Sequence, residues 1–319
     1  MPKTLGRNFS IVSVSVIDER THSHANNRHL KRKIEYPVLK NGWPITGGFV
    51  GGEISVTDEQ NIRLVAFLSV LATIAVWELI APRRRLTDNK CRRWVANLAL
   101  VVIATIVVRL IVPILPVGMA LLAQERGWGI LNQIDLPYWI EIILSIIFLD
   151  FVIYLQHVLF HFLPILWRLH RMHHTDLDID VTTGNRFHPI EIAISIGVKL
   201  AAITLIGPPA LAVVAFEVIL NATSQFNHGN IRINEAVDRW LRLVVVTPDM
   251  HRVHHSVIPR ETNSNFGFNL PWWDRLCGTY RSQPEQGHEG MFIGLKEFRH
   301  PAALTLSRLL IQPFVRIPL

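Results

Sequence analysis

Apolar residues along this chain gather into long runs, separated by short basic or proline-bearing stretches, and the length of each run limits what it can form. Ile62 to Ala81 is a twenty-residue, mostly apolar stretch. At about 1.5 Å of rise per residue it reaches about 30 Å, the thickness of a bilayer's hydrocarbon core. Pro82 and Arg83-Arg84-Arg85 end it. Trp94 to Val112 predicts a second span, with a lone Arg109 near its end before Pro113 and Pro116 break the helix. Gly118 to Gln124 is expected to continue as an interfacial piece. A third span starts near Pro137, a favourable first-turn residue, and runs to about Phe162 before Pro164. Ile190 to Ile206 and Ala210 to Leu220 flank Gly207-Pro208-Pro209, a turn signal between two shorter apolar helices that dip into the membrane. The pattern predicts an all-α fold: an integral membrane helical domain with three long spans plus a re-entrant or short helical hairpin.

The domain organisation follows from the same pattern. Residues 1–60 are polar, carry Lys31, Arg32 and Lys33, and are expected to form a loosely ordered tail with no signal-peptide apolar region. Residues 61–282 form the membrane-embedded domain. Residues 283–319 are a C-terminal extension whose segment Ala302 to Leu319 mixes apolar residues with Arg308 and Arg316, suiting either an interfacial helix or one packed on the domain.

Composition supports this picture. Of 319 residues half are hydrophobic and only 18% charged, and mean hydropathy is +0.28, which excludes an ordinary water-soluble globule. The net charge of +7 comes without any basic-aromatic nucleic-acid motif, so anionic lipid headgroups account for the excess Lys and Arg and no nucleic-acid partner is expected. The two cysteines, Cys91 and Cys277, are too far apart in sequence and context to suggest a disulfide framework or a CxxC site. The loop between the first two spans holds Arg83, Arg84, Arg85, Lys90, Arg92 and Arg93 against only Asp88, which places it in the cytoplasm. Counting spans from there puts every histidine-rich segment from His157 to His255 on the cytoplasmic side, and the N-terminal tail outside.

Fifteen histidines carry the chemistry. Three clusters stand out: His157-x3-His161, His170-Arg171-Met172-His173-His174 and His251-Arg252-Val253-His254-His255. Residues at i, i+3 and i+4 share a helix face, so each cluster aims two or three imidazoles at one locus. Asp150, Tyr154, His157 and His161 form one stripe. Pro164 can start the helix bearing the second cluster, and Thr247-Pro248-Asp249 can cap the third. A lone histidine is ordinarily a packing or surface residue, but eight in three clusters at the ends of spans have metal-ligand spacing. His228 follows the hairpin and can reach the same locus. His188 either completes the shell or holds a neighbour by hydrogen bonding. His22, His24, His29, His288 and His300 are expected on the surface. Eight to ten imidazoles exceed the needs of one ion, so two are implied. No Glu-x-x-His pattern occurs in these segments, so Asp150, Asp176 and Glu261 are expected to accept the far ring N–H of a ligating histidine. Asp178 and Asp180 are expected in a solvated acidic loop. A histidine-rich metal transporter is weighed against this reading, but its histidines would lie along a span rather than beyond the ends of spans. A zinc-dependent membrane hydrolase would need only three protein ligands.

The order HxxxH, HxxHH, a single His after a membrane hairpin, then HxxHH resembles the fatty acid hydroxylase superfamily, in its sterol desaturase branch. So do the stretches Arg186-Phe187-His188-Pro189-Ile190-Glu191 and Asn265-Phe266-Gly267-Phe268-Asn269-Leu270-Pro271-Trp272-Trp273-Asp274. The resemblance covers roughly Ile62 to Tyr280. It implies a non-haem di-iron centre on the cytosolic face that uses dioxygen and two external electrons to hydroxylate or desaturate a C–H bond of a sterol or fatty-acyl lipid. It implies as metal ligands His157, His161, His170, His173, His174, His228, His251, His254 and His255. Where some members carry a further histidine one turn before the single one, this chain has Ser224, leaving His188 as the nearest tenth candidate. The implied partners are a membrane lipid and an electron-transfer protein, a ferredoxin or b-type cytochrome reduced by NAD(P)H. Zinc, which binds nitrogen ligands more tightly than ferrous iron, can replace iron in purified protein.

Overall fold

The computed structural model describes residues 10–15, 33–38 and 56–316, with side chains from residue 59 onward. The chain divides into two compact units, residues 1–62 and 63–319. In the first, β1 (Ser10–Ser15) pairs antiparallel with β2 (Lys33–Val38), Ser10 opposite Val38 and Ser15 opposite Lys33. This two-stranded ribbon is what is described of the stretch expected to be a tail.

The second unit is built on helices. Its membrane set is α1 (Val56–Ile80), which begins just before it, then α2 (Lys90–Ile111), α3 (Pro116–Arg126), α4 (Tyr138–Phe162), α6 (Pro189–Ile206) and α7 (Ala210–Asn227), with α5 (Pro164–His174) between α4 and α6. Shorter helices follow: α8 (Glu235–Leu241), α9 (Pro248–His254), α10 (Pro259–Thr262), α11 (Trp272–Leu276), α12 (Gly287–Gly290) and α13 (Leu306–Ile311). Among the described residues five stretches are long and apolar enough to cross a membrane: Glu59–Ile80, Lys90–Gln133, Tyr138–Phe162, Pro189–Ile206 and Ala210–Asn227. This is a multi-pass membrane protein. The two expected hairpin helices are the last of these, with 18 residues each.

Local chemistry sets the boundaries. Asn89 caps α2 by accepting from the Arg92 N–H, and Thr247 caps α9 by accepting from Met250. Prolines open α3, α5, α6 and α9. Gly207 ends α6 at φ +68°, and a Cβ there would meet the Trp128 carbonyl at 2.5 Å, so the α6–α7 turn needs glycine both for its conformation and for the close approach. The prolines after Ile111 break the helix as expected, and the piece that follows is α3, whose Ala120 and Ala123 are fully buried where it packs on α6 and α7. α7 runs seven residues past the expected Leu220, to Asn227, and makes His228 its C-terminal cap.

The central core joins α3, α4, α6 and α7 through Ala120, Leu149, Ile153, Ala202, Ile203, Val213 and Phe216. Large apolar side chains on the outside of the spans, such as Leu79, Leu110 and Leu205, are exposed to what would be lipid. The C-terminal segment packs on the domain: Leu304 and Leu309 are buried with Ala96, Leu100 and Met172, and Arg171 donates to the Gln312 and Val315 carbonyls.

Candidate metal centre

Three short devices bring the histidine clusters together. The end of α4 carries His157 and His161, α5 turns back at Leu163-Pro164 and carries His170, His173 and His174, and α9 carries His251 and His254 with His255 at its cap. His228, at the end of α7, meets them. Among the described residues the nine fall into two groups, His157, His161, His170, His174 and His254 in one, His173, His228, His251 and His255 in the other. Within each group the ligand atoms lie within 4.8 Å of one another. All nine are at least nine-tenths buried.

On six of the nine rings an acceptor on the far side fixes the tautomer. His157 Nδ1 donates to the Phe266 carbonyl at 2.7 Å, His228 Nδ1 to Ser224 at 2.7 Å and His254 Nδ1 to Ser264 at 2.7 Å. His170 Nδ1 donates to Glu191 Oε1 at 2.6 Å. His161 is held by the Asn263 side chain and His173 by the Arg186 carbonyl. A neutral imidazole whose Nδ1 carries the proton presents a bare lone pair at Nε2. Those lone pairs converge: His157 Nε2 lies 3.1 Å from His170 Nε2, and His228 Nε2 lies 3.1 Å from both His173 and His251 and 3.2 Å from His255. The inward Nε2 atoms of His161, His174 and His254 have no hydrogen-bond partner among the described residues.

Electrostatics keep the rings neutral. Burial first, and neighbouring imidazoles after it, hold His173, His174, His251 and His255 well below the ordinary histidine value. Burial lowers His228 and His254 to about 3. Converging lone pairs without protons repel one another, and a cation at each centre removes that repulsion. The donor set therefore fits two metal ions that prefer nitrogen ligands.

The segment 263–274 is the outer brace. Asp274 accepts from the Phe266 and Gly267 N–H groups at 2.8 Å each, so it fixes the carbonyl that orients His157. Gly267 is forced by space: a Cβ would lie 2.8 Å from the Leu270 carbonyl. Asn265, at φ +52°, bridges Met250 and Arg281 with its side chain. Rings of Phe266, Phe268, Trp167 and Phe187 cover the imidazoles at centroid distances of 4.6 to 5.5 Å.

Several sequence expectations need correction. Asp150 accepts from Leu270 N and Trp273 Nε1 rather than from a histidine. Glu261 accepts from the Glu285 N–H. Asp176 lies two residues past His174 but binds Arg93, at 2.7 Å, and not a ring nitrogen; the guanidinium overcomes burial and holds its carboxyl at about 2. Asp178 and Asp180 are buried rather than solvated, because Asp180 shares Arg93 and Asp178 caps the N–H groups of Thr87 and Asp88. Of its two expected roles His188 takes hydrogen bonding: it belongs to neither group, its Nδ1 accepts from Ile190 N at the start of α6 and its Nε2 donates to the Leu310 carbonyl. His288 is buried beside Asp249 rather than on the surface, whereas His300 is exposed. His22, His24 and His29 lie outside the described residues. Among the described residues the carboxylate that does hold a ring is Glu191, in the first turn of α6. Its signal was a lone acid in the first turn of an otherwise apolar helix.

Residues 142–279 match the family model described as fatty acid hydroxylase. An ornithine lipid hydroxylase, OlsE, of Rhizobium tropici is 26% identical over 287 residues, which cover 86% of this chain and 83% of that protein. Alkylglycerol monooxygenases of Xenopus tropicalis and Homo sapiens are 30% and 29% identical over 178 and 165 residues, spanning only 38% and 35% of their own length. No solved structure matches the chain. The residues matched by the fatty acid hydroxylase model, 142–279, hold all nine converging histidines, so the domain match and the candidate metal centre coincide.

Proposed function

We propose that the nine histidines hold two iron ions and that the protein is an oxygen-dependent hydroxylase of a membrane lipid. The observation that carries this is the convergence of Nε2 atoms at two adjacent buried centres, with His157, His170, His173, His228 and His254 held from behind by a carbonyl or carboxylate. When bound, the iron pair supplies the power to activate dioxygen and insert one of its atoms into an unactivated C–H bond, with two external electrons and two protons releasing the other atom as water.

The chain's own residues have plainer tasks. The imidazoles bind the ions as neutral donors and leave their positive charge uncompensated. Glu191, by accepting the His170 N–H, fixes the tautomer and orientation of that ring. The Phe266, Ser224 and Ser264 carbonyls fix ring orientation. The aromatic cover of Phe266, Phe268, Trp167 and Phe187 keeps bulk water from the centres. No nicotinamide or haem motif is read in the sequence, so the electrons are assigned to a separate carrier, a ferredoxin or b-type cytochrome.

The relatives guide the choice of reaction and substrate. They are named a hydroxylase and monooxygenases, which favours hydroxylation over desaturation. The ornithine lipid hydroxylase, which matches over most of both chains, favours a polar membrane lipid over a sterol. The charge of the Arg83 to Arg93 loop favours a cytoplasmic position for the centre. Membranes containing the protein, supplied with an electron carrier, labelled dioxygen and ornithine lipid, test the proposal. A labelled hydroxyl on the lipid, lost in His254→Ala, is the expected result. A new double bond without label, or turnover without oxygen, would overturn it.

A further inference from the structure

Beyond the metal centre, one apolar surface has no covering among the described residues. α8 and the turn after it expose Val237, Trp240, Leu243 and Val244, at 51%, 72%, 45% and 58%, and α11 exposes Trp272 and Leu276, at 39% and 76%. The two elements are bound side by side: Trp272 Nε1 donates to the Leu243 carbonyl at 2.8 Å and Arg275 to the Arg242 carbonyl at 2.9 Å. The six side chains therefore form one patch, bordered by the exposed cations Arg239 and Arg275.

The position of the patch relative to the spans indicates what covers it. α11 is fastened to α4 far from that helix's end: Trp273 donates to Asp150, its ring lies 4.8 Å from that of Phe151, and Tyr154 pairs with Thr279 at 3.0 Å. Asp150 and Tyr154 precede Phe162 by twelve and eight residues, or about 18 and 12 Å along the axis. The neighbouring strand of chain is likewise tied to α7, through Asn227 to the Phe268 carbonyl and Thr223 to Asn269. A helix bound at that depth on a membrane-crossing helix lies within the leaflet, not above it.

We propose that the α8–α11 surface is inserted into the leaflet on the histidine side, with lipid acyl chains against Val237, Trp240, Leu243, Val244, Trp272 and Leu276. Two observations favour lipid as the occupant. The two tryptophans of the patch are of the type that sits at the membrane interface, and the exposed cation Arg239 at its border suits headgroup phosphates. The sequence gives no span in this region, since α8 and α11 have seven and five residues; only their fastening to α4 and α7 carries them to that depth. The inference depends on α4 crossing the bilayer and not on the metal assignment.

The test uses the full chain with Cys91 and Cys277 replaced by serine and single cysteines introduced as Trp240→Cys, Leu276→Cys, Leu155→Cys and Arg260→Cys, each carrying an environment-sensitive fluorophore. The protein is placed in vesicles of phosphatidylethanolamine and phosphatidylglycerol, with and without bromine on the acyl chains. Labels at 240 and 276 are expected to emit to the blue and to be quenched by the brominated chains as strongly as the label at 155, while the label at 260 is not. Quenching at 240 and 276 no greater than at 260 overturns the proposal. Cross-linking of two chains through position 240 that survives dilution into excess lipid would assign the patch to a second copy and also overturn it. Absence of quenching at 155 would remove the premise that α4 spans, and the inference with it.

Discussion

Glu191→Gln isolates how much the centre depends on a group that touches no ion. The substitution keeps side-chain length and shape and retains an oxygen that can accept the His170 N–H, but removes the negative charge 2.6 Å from Nδ1. Both partners are buried, so little solvent screens the loss. His170 lies in the five-histidine group, and the lone pair facing His157 becomes a weaker donor when the carboxylate behind it is neutralised. Changes of this kind reduce metal affinity by about 10- to 100-fold, or about 1.4 to 2.8 kcal/mol. Competition between the detergent-purified protein and a chelator of known affinity measures it. The expected outcome is a metal ion released at about 10- to 100-fold lower chelator concentration, with the other ion less affected and the helical content unchanged. Glu191→Ala, which leaves His170 Nδ1 without an acceptor, is expected to be worse. Equal retention of both ions in Glu191→Gln and wild type would refute the claim that the ring is held for metal binding.

Four other outcomes follow. His173→Ala and His254→Ala, one from each group, are expected to insert normally and lose turnover, because the spans do not rest on the centre; full activity in either would mean that these residues are not ligands. Arg93→Met leaves Asp176 and Asp180 buried without their shared cation, which is expected to cost about 3 to 5 kcal/mol and to appear as a large drop in thermal midpoint or as loss of expression. Metal-free protein is expected to lose stability as pH falls below about 6.5, because the unfolded chain then binds protons that the folded one, with His228 and His254 at about 3, refuses. At pH 5 that amounts to about 2 kcal/mol for each of the two rings, and an unchanged midpoint between pH 7.5 and pH 5 would contradict it. Arg85→Cys and Arg260→Cys on a cysteine-free background are expected to react with an impermeant reagent from the same, cytoplasmic side, and opposite accessibility would overturn the topology.

The spans and the histidine clusters were legible because each is written in local spacing. Twenty apolar residues ended by Pro82, or imidazoles at i, i+3 and i+4 on α5 and α9, depend on nothing distant in the chain. The partition of the nine rings was not legible, since His173 and His174 are adjacent in sequence yet enter different groups, which only the packing of α5 between α4 and α9 decides. Carboxylate roles failed for a similar reason. Asp150, Asp176 and Glu261 have the right chemistry and proximity in sequence, but Trp273, Arg93 and Glu285, which hold them, lie 123, 83 and 24 positions away. Asp178 and Asp180 look like a solvated loop until Arg93, on α2, reaches the Asp178 carbonyl and the Asp180 carboxylate. The same holds for the α8–α11 surface, whose depth is set by Asp150 rather than by its own hydropathy.

The central claim is that nine imidazoles form two metal sites, and counting the ions tests it most directly. Elemental analysis of protein produced in iron-supplemented cells and purified without chelator should give two transition-metal ions per chain, one for each histidine group, with iron predominating and zinc as its substitute. One ion per chain, or none, would contradict the dinuclear account.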